Sequence, residues 1–387
     1  MLLQILFVFG FLFLLYSYLI YPHLLKYLLQ KKQDLPSYPI TGVLPPLSII
    51  IAAHNEEKVL REKLDSILTS HYPLDQIELL IGIDASTDFS ALIAEEYQPR
   101  FASCQVFEFA QRQGKIKIVN ALVPKASHQL IVLTDANVLF TEQTLAQLQA
   151  PFVDPKIGLV DSTMKHYGLK NTGISMPEST YIAGEVLLKE AEGKLWGAMM
   201  GPFGGCFAFR KNCFEPIPEH FLVDDFYINM TCIEKGYRCL TQSAAVVLED
   251  VSNDLLIEFK RKIRISSGNF QNLKRFWRLL LRFNAVSFTF FSHKVLRWIL
   301  PVFLVAMTLQ IIQKQESSWF YQALYFILLL IPISFVVDYL ARRQGTHLVW
   351  LRYIIHFISM NIALLIGLFR FFGGIRSSVW QPTKRHQ

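Results

Sequence analysis

Apolar residues form two kinds of pattern along the chain, and these patterns divide it into three regions. Residues 2–20 are an uncharged apolar run, and three more long apolar runs occur near the C-terminus, at about 295–312, 319–340 and 348–369. Each run is long enough to cross the ~30 Å hydrocarbon core of a bilayer as a helix. The residues between them have a mixed composition and are numerous enough for one substantial core.

The middle region alternates strand patterns with helix patterns. Short apolar runs predict strands at 47–52, 78–83, 104–109 and 129–133. Apolar residues at helical spacing predict helices at 56–70, 90–97 and 115–122. Strands that alternate with helices indicate a parallel sheet covered on both faces. Such sheets bind their ligands beyond the carboxyl ends of the strands.

Polar residues follow three of the predicted strands at that edge. They are His54-Asn55-Glu56, the stretch from Asp84 to Asp88, and Asp135-Ala136-Asn137. Each alone is equally consistent with a turn or a helix cap, but together they predict one shared crevice. Carboxylates one residue apart would hold a divalent metal, and here an amide takes the second place. No G-x-G-x-x-G or Walker sequence follows a strand, so neither a dinucleotide site nor a P-loop is indicated.

Composition favours a membrane protein. Of 387 residues, 52% are hydrophobic, which is too many for an ordinary soluble domain. The first run has no basic segment before it and no small-residue cleavage site after it, so residues 1–25 are predicted to be an anchor rather than a signal peptide. The lysines after it (Lys26, Lys31, Lys32) place the middle region in the cytoplasm. Three C-terminal spans (295–370) would then leave the basic tail (371–387) outside, a conflict that disappears if one run is re-entrant or interfacial.

Charge and cysteine usage narrow the range of partners. The net charge of +7 lies largely beside the apolar runs, which favours anionic lipid over nucleic acid. Between Lys260 and Arg282 there are eight Lys or Arg residues and no acid, interleaved with aromatics, so residues 256–292 are predicted to form amphipathic helices at the membrane surface. The five cysteines include no C-x-x-C pair and indicate reduced thiols rather than disulfides or zinc ligands.

Seven segments in register resemble a known family. They are SIIIAAHNEEKVLREKLDSIL, IGIDASTD, QGKIKIVNAL, IVLTDAN, GPFGGCFAFRKNCF, VDDFYINMTCIEKGYRCL and RKIRISSGNFQ. In this order they resemble family 2 glycosyltransferases, and the flanking apolar runs resemble the branch of cellulose, chitin, hyaluronan and poly-N-acetylglucosamine synthases. The resemblance covers about residues 47–273. It implies an α/β domain of the GT-A (nucleotide-diphospho-sugar transferase) fold at 45–255, with flanking transmembrane helices.

The resemblance also implies roles for matched positions at the donor end. Nucleotide-binding roles fall on Asn55 and Glu56 (base and ribose), Asp84 (uracil or ribose), and Lys115, Asp135 and Arg264 (diphosphate). Asp135 and Asn137 occupy the D-x-D position, where Mg²⁺ or Mn²⁺ would bridge protein and diphosphate. Asn137 is neutral, but its carbonyl oxygen is still a ligand for a hard cation. We therefore expect little metal affinity without nucleotide and a clear gain with it.

The base and the acceptor region follow from the same resemblance. Asp225 matches the catalytic carboxylate of the E-D motif and would be the general base, although a plain helix N-cap is the alternative. The acceptor region is implied to include Asp224, Arg261 and the glycine-rich stretch with Gly204, Gly205 and Phe207. A simple turn would explain those glycines equally well.

One departure from the family pattern bears on the product. Residues 261–265 fall where many synthases carry Q-x-x-R-W, with Arg264 at the arginine. Arg261 replaces the glutamine and Ile265 replaces the tryptophan that lines the acceptor end, which puts processive polymer synthesis in doubt. Residues 380–385 resemble a terminal element of this branch and favour a cytoplasmic tail.

The residues and the resemblance together predict an inverting membrane-bound glycosyltransferase in a bacterial-type inner membrane, with a cytoplasmic catalytic domain. It would move a sugar from a nucleotide sugar, expected to be a UDP-sugar, to a lipid-linked or growing glycan. One alternative is a transferase that adds a single sugar to a lipid. The other is an inactive assembly subunit, which the retained Asp84, Asp135 and Asp225 disfavour.

Overall fold

One eight-stranded sheet organises the middle of the chain in the computed structural model, which describes residues 1–40, 42–167, 175–250, 255–346 and 348–375. Its strands are β1 (Leu47–Ala53), β2 (Ile77–Asp84), β3 (Ser103–Phe109), β4 (Leu130–Asp135), β5 (Leu139–Phe140), β6 (Ile157–Tyr167), β7 (Cys206–Arg210) and β8 (Arg238–Asp250). In space they follow the order β3-β2-β1-β4-β7-β6-β8-β5.

The helices fall into a group that covers the sheet and a group of long apolar helices. The first group is α3 (Glu57–Leu68), α4 (Ser90–Tyr97), α5 (Lys115–Leu122), α6 (Thr144–Gln149), α7 (Ser175–Trp196), α8 (Asp224–Glu234) and α9 (Leu255–Phe276). The second includes α1 (Leu2–Leu15), α2 (Tyr21–Lys31), α11 (Leu296–Lys314), α12 (Trp319–Arg343) and α13 (Val349–Phe372), with the short α10 (Ala285–Thr289) before α11.

The predicted parallel sheet is confirmed for its first half. Strand β1 pairs in parallel with β2 and with β4, and β2 pairs in parallel with β3. Beyond β4 the sheet is mixed, because β7 runs antiparallel to both of its neighbours while β6 and β8 are parallel. The pattern of short apolar runs predicts no strand beyond residue 133, so it carries no information on these later strands.

The two faces of β1 explain why that strand is apolar apart from Ser48. Ile49 and Ile51 pack in one buried cluster with α3 and α4, while Ile50 and Ala52 pack in a second cluster with α5 and α8. A strand buried on both faces has no polar positions to alternate with. The sheet therefore holds the ends of β1, β2 and β4 rigidly along one edge.

Among the residues that the structure describes, four helical segments are long and apolar enough to cross a membrane. They are Leu2–Lys31, Ala285–Lys314, Trp319–Arg343 and Val349–Phe372. The first joins α1 to α2 through a π-helical turn and so runs beyond the predicted anchor. The second begins ten residues before the predicted run and includes buried polar residues such as His293. The tail beyond residue 375, with its 380–385 motif, lies outside the described residues.

Helix α9 joins the segment before α8 to α13. Gln271 accepts a 3.1 Å hydrogen bond from the Leu222 backbone N–H, and the Asn272 amide donates one of 3.2 Å to the Val223 carbonyl. On its other side, the Ser266 hydroxyl donates to the Leu364 carbonyl at 2.8 Å. Helix α9 thus fixes the residues that lead directly into α8.

Candidate active site

The ends of β1, β4 and β6 and the start of α8 open into one cleft of about 780 Å³. Most of the predicted site residues lie on its wall. They are Glu56, Lys115, Asp135, Asn137, Gly204, Gly205, Asp224, Asp225, Arg261 and Arg264. The structure therefore brings Glu56 and Arg264, which are far apart in the sequence, to the same cleft.

Lys115 lies between two carboxylates of this cleft. It follows Gly114, whose φ of 86° belongs to the left-handed region that glycine favours. Its Nζ donates a 2.8 Å hydrogen bond to Asp135 Oδ1 and lies 3.4 Å from Asp224 Oδ2. Burial opposes the lysine charge, but these two carboxylates outweigh it and raise the pKa of Lys115. The ammonium is therefore charged and joins the end of β4 to the start of α8.

Asp225 lies in the first turn of α8, where its Oδ1 accepts a 2.6 Å hydrogen bond from the Phe226 N–H. Burial, together with the charge of the adjacent Asp224, raises the pKa of Asp225 to about 7. A carboxylate with such a pKa can accept a proton at neutral pH. Its neighbour Gly204 has φ 64°, and a Cβ there would lie 2.4 Å from Asp225 Oδ2. Only glycine allows the loop at 201–205 to approach this carboxylate so closely.

The turn at 135–137 offers oxygen ligands to a divalent cation. The Asn137 amide nitrogen donates a 3.0 Å hydrogen bond to Glu249 Oε1, so the carbonyl oxygen is the atom that remains for a cation. Within the described ranges, no group of three or more His, Cys, Asp or Glu side chains could hold a metal. Asp135 and Asn137 offer one oxygen ligand each to a hard cation, which would need its further ligands from elsewhere, and metal binding at this turn remains a prediction.

Three predicted site residues lie away from the cleft wall, namely Asp84, Asn55 and Phe207. The Asp84 carboxylate is fully buried and accepts hydrogen bonds from Arg112 Nη1 (2.6 Å), Gln113 N (2.6 Å) and Gly114 N (2.9 Å). It thereby fixes the segment that precedes Lys115. The Asn55 side chain accepts a 2.9 Å bond from the Thr87 N–H. Their nucleotide contacts remain predictions.

Phe207 requires a correction. It was predicted to lie in the acceptor region, but its side chain is fully buried and its ring centroid lies 5.9 Å from that of Phe209. Both rings belong to β7 and pack into the cluster beneath α5 and α8. The glycine-rich signal therefore ends at Gly205, and the strand after it belongs to the core.

Helix α9 supplies the basic wall of the cleft. Arg264 lines the cleft, and its Nη1 donates a 3.2 Å hydrogen bond to the Leu222 carbonyl two residues before the acidic pair. Arg261 lies one turn away and forms a 3.3 Å ion pair with the buried Glu258. The resemblance implies contact with the diphosphate for Arg264 and a place in the acceptor region for Arg261, and both roles remain predictions.

Several residues on the cleft wall were missed by the sequence argument. Glu249 and Asp250 come from the end of β8, and Lys294 and Trp298 come from the apolar segment Ala285–Lys314. Trp298 packs edge-on against Phe226, with ring centroids 5.4 Å apart. In the sequence, Lys294 beside the apolar run was the signal that could have indicated this part of the cleft wall.

Helix α7 supports the 201–205 loop through buried charges. Lys189 Nζ donates a 2.6 Å hydrogen bond to Asp161 Oδ2, and Asp161 Oδ1 accepts one of 3.2 Å from the Phe203 N–H. Further along α7, Glu192 accepts a 3.2 Å bond from the Met200 N–H. Helix α7 therefore holds Met200, just before the loop, and through Asp161 also Phe203 in the middle of the loop.

Comparisons with known proteins agree with this geometry. The family model described as glycosyl transferase family 2 matches residues 48–217. The chain is therefore similar to family 2 glycosyltransferases over these residues. The matched residues contain the ends of β1, β2 and β4 and the 201–205 loop, while α8 and α9 follow them in the chain.

Two curated relatives are similar over more than half of this chain. The probable glycosyltransferase YdaM of Bacillus subtilis (strain 168) is 22% identical over 237 residues, which is 58% of this chain and 56% of YdaM. The β-monoglucosyldiacylglycerol synthase of Nostoc sp. (strain PCC 7120) is 24% identical over 251 residues, 63% of this chain and 53% of the synthase. The chain thus spans about half the length of these relatives.

A solved structure is similar over nearly the whole chain. It is the mannosyltransferase PcManGT from Pyrobaculum calidifontis in complex with GDP-Man and Mn²⁺. The TM-score is 0.72 at 21% identity, covering 95% of this chain and 99% of that one. The predicted α/β GT-A-like fold with long apolar helices at both ends of the chain is thereby confirmed.

Proposed function

We propose that this protein is an inverting membrane-bound glycosyltransferase that moves a sugar from a nucleoside-diphosphate sugar to a lipid-borne acceptor. One observation carries the proposal. The cleft that contains Asp135, Asp224 and Asp225 is also lined by Lys294 and Trp298 of a segment apolar enough to cross a membrane. An acceptor anchored in the bilayer would reach Asp225 along this wall.

The chemistry is a single displacement. The acceptor hydroxyl oxygen forms a bond to the anomeric carbon while the bond from that carbon to the β-phosphate oxygen breaks, and the nucleoside diphosphate leaves with the electron pair. Asp225 accepts the hydroxyl proton. One displacement from the face opposite the leaving group inverts the anomeric configuration. Lys115 and Arg264 offset the charge that develops on the diphosphate.

Asp135 and Asn137 are the residues that would hold Mg²⁺ or Mn²⁺. Such a cation would stabilise the negative charge of the leaving diphosphate. The structural relative in complex with GDP-Man and Mn²⁺ supports a nucleoside-diphosphate sugar as donor. The resemblance favours UDP and that relative carries GDP, so both nucleotides belong in the test.

A single-sugar transfer to lipid is favoured over polymer extension. The tryptophan of the Q-x-x-R-W position is Ile265 here, on the cleft wall. The Nostoc relative is named as a synthase of a glucosylated diacylglycerol, which supports a lipid acceptor. We therefore propose a glycolipid product.

The decisive experiment offers radiolabelled UDP-glucose, UDP-galactose, UDP-N-acetylglucosamine and GDP-mannose, each with Mn²⁺, to membranes that contain the protein. We expect label from one donor to appear in the organic extract, and the D225N variant to remove it. Label in a high-molecular-weight aqueous product would instead establish polymer synthesis. Transfer from no donor by the wild-type protein would favour the inactive assembly subunit.

We also propose that α13 lies along the cytoplasmic face instead of crossing the bilayer. Tyr353 near its start hydrogen-bonds Thr180 of α7 at 3.0 Å, and Phe371 at its end lies 6.1 Å from the ring of Phe270 in α9. A spanning helix of 24 residues rises about 36 Å, so one of its ends would leave the catalytic side. Contacts at both ends favour an interfacial position.

This arrangement would remove the conflict between the basic tail and the number of spans. With three crossings (Leu2–Lys31, Ala285–Lys314 and Trp319–Arg343), the catalytic domain, Arg342, Arg343 and the tail would all be cytoplasmic, as the positive-inside rule requires. Labelling with a membrane-impermeant maleimide tests it. We expect S317C to react in intact cells, and Q344C and a cysteine added after Gln387 to react only after lysis. Labelling of that C-terminal cysteine in intact cells would make α13 a fourth crossing.

A further inference from the structure

Lys63 is a lysine with no exposed surface, on the face of α3 that packs against the sheet. Its neighbours on that face, Leu60, Leu64 and Ile67, are apolar and equally buried. Burying an ammonium is costly unless its N–H groups find partners. An apolar residue would fill the space without that cost, so the lysine requires an explanation beyond packing.

The Lys63 ammonium makes three contacts, and all of them are with residues around the 135–137 turn. Its Nζ donates a 3.0 Å hydrogen bond to Thr134 Oγ1, on one side of the turn, and a 2.5 Å bond to the Val138 carbonyl on the other. It also lies 3.3 Å from the centre of the Phe140 ring, within the range of a cation–π contact. One buried group therefore holds both flanks of Asp135-Ala136-Asn137.

The same hydrogen-bond chain reaches the 201–205 loop. The Thr134 hydroxyl, which accepts from Lys63, donates in turn to the Gly205 carbonyl at 3.0 Å. That carbonyl also accepts a 2.9 Å bond from the Asp135 N–H. Gly204 in this loop lies against the Asp225 carboxylate. The ammonium is thus linked to the proposed cation-binding turn and, through one hydroxyl, to the loop beside the proposed base.

We propose that Lys63 is a positioning residue that fixes the 135–137 turn against the 201–205 loop, so that binding of the cation with the donor diphosphate depends on it. The inference rests on the proposed function and deepens it. Lys63 touches neither ligand, because it lies beneath the turn with its contacts to Thr134, Val138 and Phe140. Groups that orient a metal ligand in this way usually change metal affinity or activity by about 10- to 100-fold when they are removed.

Two substitutions and one control test the proposal. K63M keeps the length of the side chain without its N–H groups, and K63Q keeps a donor that can make one of the two hydrogen bonds. The control K211M removes a lysine that also donates two hydrogen bonds, of 3.0 and 2.7 Å, but to the Pro124 and Ala126 carbonyls, away from the cleft wall. Mn²⁺ binding is measured by calorimetry in saturating UDP or GDP, nucleotide binding in EDTA, and melting temperature on the same full-length proteins.

We expect K63M to weaken nucleotide-dependent Mn²⁺ binding by about 10- to 100-fold, with nucleotide affinity in EDTA unchanged. K63Q should recover part of the loss, and K211M should bind Mn²⁺ as the wild type does. Mn²⁺ binding by K63M equal to wild type would overturn the role of Lys63 and leave the proposed function intact. Equal losses in K63M and the control, parallel to their melting temperatures, would reduce Lys63 to a packing residue and also overturn it.

Two further outcomes are equally informative. If K63M does not fold, K63Q decides the question by the same measurements, and wild-type Mn²⁺ binding by that variant would contradict the proposal. If the wild-type protein binds neither nucleotide with Mn²⁺, the proposed function fails, and the positioning role of Lys63 fails with it.

Discussion

The Lys115 ammonium donates a 2.8 Å hydrogen bond to Asp135 Oδ1. The lysine cation is therefore bound to an oxygen that a divalent ion would also use. Asp224 Oδ2 lies 3.4 Å from the same nitrogen. In the protein without ligand, the negative charge of the cleft is already partly neutralised from within. A donor diphosphate would supply the additional anionic oxygens that attract a second cation.

The first prediction concerns metal affinity. We expect Mn²⁺ to bind weakly to the wild-type protein alone and much more tightly once UDP or GDP is present. Replacing the lysine in K115M should strengthen binding of Mn²⁺ alone, because Asp135 loses its internal cation, and should weaken binding of the nucleotide. Isothermal titration calorimetry measures all of these affinities. Tight binding of Mn²⁺ to the wild-type protein without nucleotide would contradict the prediction.

The second prediction concerns the base. D225N should lower the transfer rate by about 10²- to 10⁴-fold, the usual contribution of a general base, while nucleotide binding stays nearly intact. The amide keeps an oxygen that can accept from the Phe226 N–H, so the start of α8 should be preserved. Transfer and nucleotide binding are measured on the same membrane preparation. A wild-type transfer rate in D225N would remove Asp225 from the mechanism.

The same substitution should stabilise the protein, which separates catalysis from folding. Burial and Asp224 raise the pKa of Asp225 to about 7, above its ordinary value of 3.8. The folded protein therefore retains a proton that the unfolded chain loses, and wild-type stability falls as pH rises from about 4 to 7. D225N should melt at a higher temperature than the wild type at pH 8, and the two curves should converge near pH 4. A lower melting temperature for D225N at pH 8 would be the opposite result.

The third prediction is a pH profile. Because the base must be ionised, kcat/KM should fall about tenfold for each pH unit below the pKa of Asp225 near 7. Initial rates between pH 5 and 9, at saturating Mn²⁺, would show this acid limb. A flat profile down to pH 5 would assign proton acceptance to a group with a lower pKa.

The fourth prediction concerns the junction between α7 and the membrane segments. Glu185 Oε2 lies 3.0 Å from His293 Nε2 and 3.0 Å from Lys294 Nζ, and its other oxygen contacts Arg297. Burial alone would raise the pKa of Glu185, but Lys294, His293 and Arg297 outweigh it and hold the pKa well below its usual range. The stabilisation is therefore present above about pH 4.5 and is lost as the carboxylate becomes protonated at lower pH.

E185Q should accordingly lower the free energy of unfolding at pH 7 by about 3–5 kcal/mol, as expected when one partner of a buried ion pair is removed. The control is E190Q on the same helix, whose more accessible i,i+4 pair with Lys194 should contribute about 0–1 kcal/mol. Thermal melting in detergent at pH 7 and pH 4 measures both. Equal losses of unfolding free energy in E185Q and E190Q would show that the buried ion pairs of Glu185 stabilise the protein no more than the accessible pair does.

The first half of the fold was predictable because its strands are buried on both faces. Such strands appear in the sequence as continuous apolar runs, and their ends can be located to within a few residues. Strands β6 and β8 carry charged residues such as Asp161 and Glu249 at positions that the fold buries or turns to the cleft, so no apolar run revealed them. The contact between Asn137 and Glu249 spans 112 positions, which no local pattern encodes.

The candidate site was predictable where a motif carries the chemistry, and unpredictable where packing decides. Asp135, Asn137 and Asp225 occupy the cleft as their motifs implied, although their roles remain proposals. Lys63 was hidden among apolar helical positions, yet a charged residue at a core position of a predicted helix is itself a detectable signal. The position predicted for Phe207 was wrong because the sequence of a strand after a glycine-rich loop does not show whether its side chains face a ligand or the core.

The contacts of α9 have a consequence for how the enzyme matures. Residues 220–223, just before the acidic pair, are held by α9, and α9 is held in turn by Ser266 and Phe270 against α13, the last helix in the described chain. During synthesis, the sugar-transfer centre would stay incomplete until the ribosome had delivered α13. A partly made chain would therefore be unable to consume nucleotide sugar before its membrane helices were in place.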